Sequence, residues 1–158
     1  MNKVLIDNCN SRIKDEDIVY HIGDFCFKNS PGGKDGEGMI FSARSWEKHL
    51  KGKWIHIKGN HDKNNSCKTN IECMTVKAGG RKIHVTHRPE NARPDMSINL
   101  VGHVHEKWKF KELTPKSLMI NMSIDMWGFK PVHINEIMVQ YHRYMNGVID
   151  EMGKERSK

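Results

Sequence analysis

The chain has 158 residues, with 26 Lys or Arg against 19 Asp or Glu, a net charge of +7 before any of its ten histidines is protonated. That length predicts one domain, 1–158, around a single buried core. The longest apolar runs, such as Val4-Leu5-Ile6 and Leu118-Met119-Ile120, are too short to span a bilayer, and no signal-peptide core stands before Asp7. No membrane partner is expected, and the expected location is cytoplasmic. Cys9, Cys26, Cys67 and Cys73 form no Cys-x-x-Cys pair, so reduced thiols are expected over bridges. A basic field favours anionic partners, phosphates and nucleic acids among them.

In chain order, residues 2–11 carry a helical pattern through Val4, Leu5 and Cys9. Ile18 to Ile22 is a β-rich run closing on Gly23-Asp24. Residues 29–38 hold four glycines and a proline and read as a loop; the segment lacks the Gly-Lys-Ser/Thr ending of a P-loop. A helix is expected over 39–50 and a second strand over 53–58, ending at Gly59-Asn60-His61-Asp62. A hairpin follows, 72–77 and 82–86 around Ala78-Gly79-Gly80-Arg81. Ile98 to Val101 is a short strand closing on Gly102-His103-Val104-His105. Residues 117–123 are strand-like, 135–145 should be a helix, and 153–158 read as a frayed tail.

Three strands thus end in Gly, Asp, Asn or His clusters. In α/β layers, ligands collect at the carboxyl ends of strands, where loops converge side chains on one point. One site assembled from distant segments is the expectation. Histidine nitrogen with Asp and Asn oxygen suits a borderline divalent transition metal such as Mn, Fe, Zn, Ni or Co.

Gly23-Asp24, Gly59-Asn60-His61-Asp62, His87 in Val85-Thr86-His87-Arg88-Pro89, and Gly102-His103-Val104-His105 occur in an order that resembles the calcineurin-like metallophosphoesterases. The resemblance covers roughly residues 1–140, Asn10-Ser11-Arg12 and Asp125-Met126-Trp127 included. It implies a four-layer α/β/β/α sandwich and hydrolysis of phosphoester bonds by a metal-activated water. It also implies one or two metals per site. Asp24 would bridge two metals, Asn60, His87 and His103 would complete the second, and His105 would bind the first. His61 would stand beside the phosphate as a catalytic residue, with Asp62 orienting it. No protein nucleophile is needed, so Cys26 is expected to pack.

The family's opening Asp-x-His is absent before Gly23-Asp24, and Asp7 is followed two positions on by Cys9. The first metal therefore lacks two ligands, and the sandwich is expected to lack its first strand. A truncated chain, an oligomer or a partner chain covering the gap is expected. The alternative function is a non-catalytic degenerate scaffold that binds a phosphorylated ligand, nucleic acid or protein.

Other residues carry weaker expectations. Arg88 and Arg93 could meet a phosphate through paired N–H groups, against a solvated loop. His21, His56, His84 and His133 lie in strand-like runs and are expected to have structural or surface roles rather than to ligate a metal. Lys107, Lys109 and Lys111 alternate with Trp108 and Phe110, a pattern that suits nucleic acid or, more often, an edge strand blunted by lysines.

Overall fold

The structure, a computed structural model, describes residues 2–25, 43–62 and 69–156. The glycine-rich segment 29–38, Cys26, Cys67 and the expected helix start at 39–42 lie outside the described residues. The chain divides into two compact units, Met1–Glu72 and Cys73–Lys158. Its fold class is α/β, as expected.

The first unit holds α1 (Asn2–Asn10), β1 (Ile18–Ile22), α2 (Ala43–Glu47) and β2 (Lys53–Ile57). Cys9 and the following Ile13 are buried, whereas Val4 is exposed. The Asn10 side chain fastens the end of α1 to the turn after α2: its Nδ2 donates to His49 O (2.7 Å) and its Oδ1 accepts from Lys51 N (2.9 Å). Gly52, at φ +91°, admits the chain to β2; a Cβ there would meet Ile13 Cγ2 at 2.8 Å. β1 and β2 pair in parallel from Ile18 opposite Lys53 to Ile22 opposite Ile57. Their β-branched and aromatic residues suit a pleated surface. The two strands finish level, so the Gly23-Asp24 and Gly59-Asn60 loops leave the same end.

The second unit is a five-stranded mixed sheet in the order β3-β4-β5-β7-β6. β3 (Cys73–Ala78) and β4 (Arg81–Thr86) form the expected hairpin, tightened to the two-residue turn Gly79-Gly80. Both glycines have positive φ (+55° and +76°), as a primed turn requires. β5 (Ile98–Val101) runs parallel to β4 and to β7 (Ser117–Asn121), and β6 (Phe110–Thr114) closes one edge antiparallel to β7. Ile83, Val85, Ile98, Val101, Leu118 and Ile120 are buried along the central strands. α3 (Ile134–Met145) buries Ile137 and Tyr141, and its Tyr144 stacks on Phe110 of β6 at 4.9 Å.

Several expectations are corrected. β7 stops at Asn121, not residue 123, because the Asn121 Oδ1 takes Ser123 N (3.0 Å) and turns the chain. His133 is no strand residue: its Nδ1 accepts from Asn135 N (3.2 Å) and caps α3. Three single 3-10 turns, Pro89–Asn91, His105–Lys107 and Ile124–Trp127, were not legible in the sequence. The tail read as frayed is tied down as far as Arg156, whose N donates to Val148 O (3.0 Å), while Arg143 pairs with Glu155. Among the described residues, no helix is long and apolar enough to cross a membrane.

His84 on β4 is buried, with Nε2 3.1 Å from Asn91 O and Nδ1 lacking a hydrogen-bond partner among the described residues. Burial pushes its pKa below the ordinary histidine value, against the pull of the Asn91 carbonyl. The unfolded chain therefore takes up this proton first as pH falls. Stability from the neutral ring is present above about pH 6.5 and is lost below it. The urea midpoint should fall between pH 7 and 5.5, and His84→Gln should reduce that fall.

Candidate functional site

In the first unit, the site begins where β1 and β2 end. Asp62 is buried, and its carboxylate accepts three backbone N–H groups: Asp24 N (2.8 Å) and Gly59 N (2.8 Å) on Oδ2, and Phe25 N (3.1 Å) on Oδ1. Asp24 answers in kind, its Oδ1 accepting His61 N (2.8 Å). Each loop thus holds the other by its own carboxylate. Gly59 permits the approach, since a Cβ there would fall on the Asp24 backbone nitrogen and carboxylate. Asp62 thus clamps the two loops together. His61 itself is exposed, and Asn60 beside it is half-buried.

Behind these loops, the rings of His21, Phe25, Trp54 and His56 pack on one another at 5.0–6.2 Å between centroids. His56 Nε2 also meets Glu47 Oε1 at 3.2 Å. These histidines are structural, as their strand positions suggested.

In the second unit, β4 and β5 pair in parallel with Thr86 opposite Val101, so His87 and Gly102-His103 emerge side by side. Gly102 N donates to His87 O at 3.0 Å. The two imidazoles lie 5.1 Å apart between centroids, at 72°. Two imidazoles on one tetrahedral ion, at about 2.0–2.1 Å from metal to nitrogen, would set their centroids about 5 Å apart. The donor chemistry and this spacing fit a divalent transition metal. His87 is buried and His103 half-buried, which limits competition from water.

His105 opens a 3-10 turn and is exposed, with Nδ1 3.4 Å from Asp125 Oδ2. His105, Glu106 and Asp125 bring one donor atom each within 4.8 Å of one another. Asn121, fully buried, holds this turn: its Nδ2 donates to His105 O (2.5 Å) and Trp108 O (2.7 Å). Sequence reading gave no part to Asn121; an Asn closing the apolar run Leu118-Met119-Ile120 was the available signal.

Asp24 (φ 57°), His103 (φ 71°) and His105 (φ 47°) all adopt left-handed backbone. Such conformations cost non-glycine residues about 1–3 kcal/mol each and gather at functional sites. The arginines are less engaged. Arg88 is exposed, and the Arg93 fork is taken by Asp95, with Nε–Oδ1 at 3.0 Å and Nη2–Oδ2 at 2.6 Å. That pairing draws the Asp95 carboxyl below its usual range. Of the edge lysines, Lys109 lies over the Trp127 ring at 3.7 Å from its centroid, and burial lowers its pKa. Lys111 stands on β6, an edge strand of the sheet.

No family model matches the chain. It is 28% identical over 145 residues to the uncharacterized protein MJ1445 of Methanocaldococcus jannaschii, covering 87% of this chain and 73% of that one. A protein of unknown function from Aquifex aeolicus, AQ665, has a similar fold: TM-score 0.62 at 22% identity, over 87% of this chain and 83% of that one. Partial likenesses extend to a Vps29 mutant from Entamoeba histolytica (TM-score 0.47, 22% identity, 75% and 62% of the two chains). They extend also to a predicted phosphoesterase from Streptococcus pneumoniae TIGR4 (TM-score 0.43, 22% identity, 84% and 70%). The Aquifex likeness bears on the fold, and on the fold alone.

Removing the Asp62 carboxylate strands three amide donors, each costing about 1–3 kcal/mol when left unmet. Asp62→Ala should therefore lose about 3 kcal/mol or more by urea unfolding. Asp62→Asn, which keeps one acceptor oxygen, should lose less.

Proposed function

We propose that this chain hydrolyses phosphoester bonds, using a divalent transition metal held by Asp24, Asn60, His87 and His103. The observation that carries the reading is the facing pair His87 and His103, whose ring separation suits a shared ion. Mn is the first metal to try.

A bound ion would supply a water ionised near neutral pH and would offset phosphate charge. The chain's own residues do the rest. Asp24 contributes a carboxylate oxygen while its Oδ1 keeps the loop of His61 in place. His61, exposed beside the loop ends, would lend a proton to the leaving oxygen. Asp62 keeps both loops at fixed spacing through its three backbone bonds. Arg88 is the better cation for the phosphate, because Asp95 already satisfies the Arg93 fork.

The substrate is a phosphate ester, and the basic surface leaves nucleic acid among the candidates. A partner chain is part of the same reading: β1 leaves Ile18 57% and Tyr20 41% exposed, apolar surface that a neighbour would cover. The cytoplasm, with its reduced thiols, is the proposed location.

Metal content and hydrolysis of a generic phosphodiester and monoester, measured together with manganese, test the proposal. His61→Ala should keep its metal and lose about a hundredfold or more in rate. His103→Ala should lose metal and rate together. Equal rates in wild type and His61→Ala would remove the enzyme reading and leave a scaffold that binds phosphorylated ligands, nucleic acid or protein.

A further inference from the structure

We propose that an open cavity of the first unit, lined by α2, β2 and residues 69–71, binds a guanine nucleotide. The proposal needs neither metal nor hydrolysis, so it stands or falls apart from the reading above.

The cavity measures about 490 Å³, a volume suited to a small ligand, and Arg44, Glu47, Trp54, His56, Thr69 and Ile71 contribute to its walls. Its place follows from how β2 is covered. β1 takes one edge of the strand. Along the other, Thr69 Oγ1 donates to His56 O (2.6 Å) and Lys58 N donates to Ile71 O (2.7 Å). Those bonds fall at the end of the strand, and the cavity reaches back past them to Ile55 and Trp54. Arg44 and Glu47, three apart on α2, share the helix face that meets it.

Three groups select the ligand. Trp54 presents a half-buried ring fixed by its indole N–H, which donates to Lys51 O (2.8 Å). A ring so held suits the stacking of a planar base. Glu47 can only accept, so His56 Nε2, 3.2 Å from its Oε1, is the donor of that pair. His56 is buried and tethers the half-buried carboxylate beside the indole. A carboxylate in that setting matches guanine, whose N1–H and exocyclic N–H point the same way and can meet both oxygens. Adenine would turn a bare ring nitrogen toward the same oxygens and leave an acceptor facing an acceptor. Arg44, exposed at the rim, supplies a cation for the nucleotide's phosphate.

Calorimetric titration of the full chain with GMP, AMP and guanosine, all in EDTA, is the test. EDTA strips any ion from His87 and His103, so phosphate held by a metal there makes no contribution. GMP should saturate one site per chain and bind about tenfold or more tighter than AMP. Glu47→Gln keeps an oxygen for His56, so folding should persist by circular dichroism, but it turns an N–H toward the base. That variant should weaken GMP about tenfold or more and erase the preference over AMP. Arg44→Gln should weaken GMP and leave guanosine unchanged. His87→Ala/His103→Ala should bind GMP as the wild type does. Failure of GMP to saturate at millimolar concentration would overturn the proposal. So would equal affinity for GMP and AMP, or a GMP affinity that Glu47→Gln does not move. Each of those results leaves the metal-dependent reading standing, and loss of metal in His103→Ala says nothing against the cavity.

Discussion

A carboxylate can stay buried when amide dipoles take the place of the water it loses. Asp62 meets that condition by collecting three backbone N–H groups from two chain segments. The donors at Asp24 and Phe25 lie 38 and 37 residues away in sequence. This single side chain therefore converts two parallel strand ends into one cross-braced edge. Asp24 repeats the device toward His61, and Gly59 makes room for it. Everything chemical in the first unit hangs on that brace. A side chain at 62 with no acceptor oxygen would release both loops at once.

The second unit solves the equivalent problem with neutral amides. Asn99, fully buried in β5, accepts from Arg93 N (2.7 Å) and donates to Arg93 O (3.1 Å) and Ser117 Oγ (3.1 Å). Asn121 does the same for the turns after β5 and β7. The difference follows from hydrogen-bond inventory. A carboxylate can only accept, so it suits loop ends that present N–H groups. An amide both donates and accepts, so it can fasten a carbonyl on one side and an N–H on the other. Burying an amide also avoids the desolvation cost of a charge.

Strands β1, β2 and β5 were legible because short β-branched runs stop at glycine, and the hairpin because Gly79-Gly80 separates two such runs. α3 was legible from Ile137 and Tyr141 at helical spacing. What escaped was held by contacts between residues far apart in the chain. The donors to Asp62 at Asp24 and Phe25 come from the other loop, which no local pattern announces. Asn121 reads as the end of a strand, and only the fold shows it gripping the His105 turn. The Arg93–Asp95 pair was within reach of sequence reasoning at two residues' spacing, but phosphate binding and a solvated loop were the readings weighed there. The candidate metal donors themselves came from motif order, which names residues without saying which of them meet.

The left-handed backbone at Asp24, His103 and His105 sets stability and chemistry in opposition at three positions. Glycine or asparagine would relax each backbone, and both would discard the carboxylate or imidazole. Laboratory evolution for heat resistance alone would drift these positions toward Gly and Asn, yielding a sturdier chain stripped of its donor groups. Natural variants that keep Asp, His and His there declare, by tolerating the strain, that the side chains are in use.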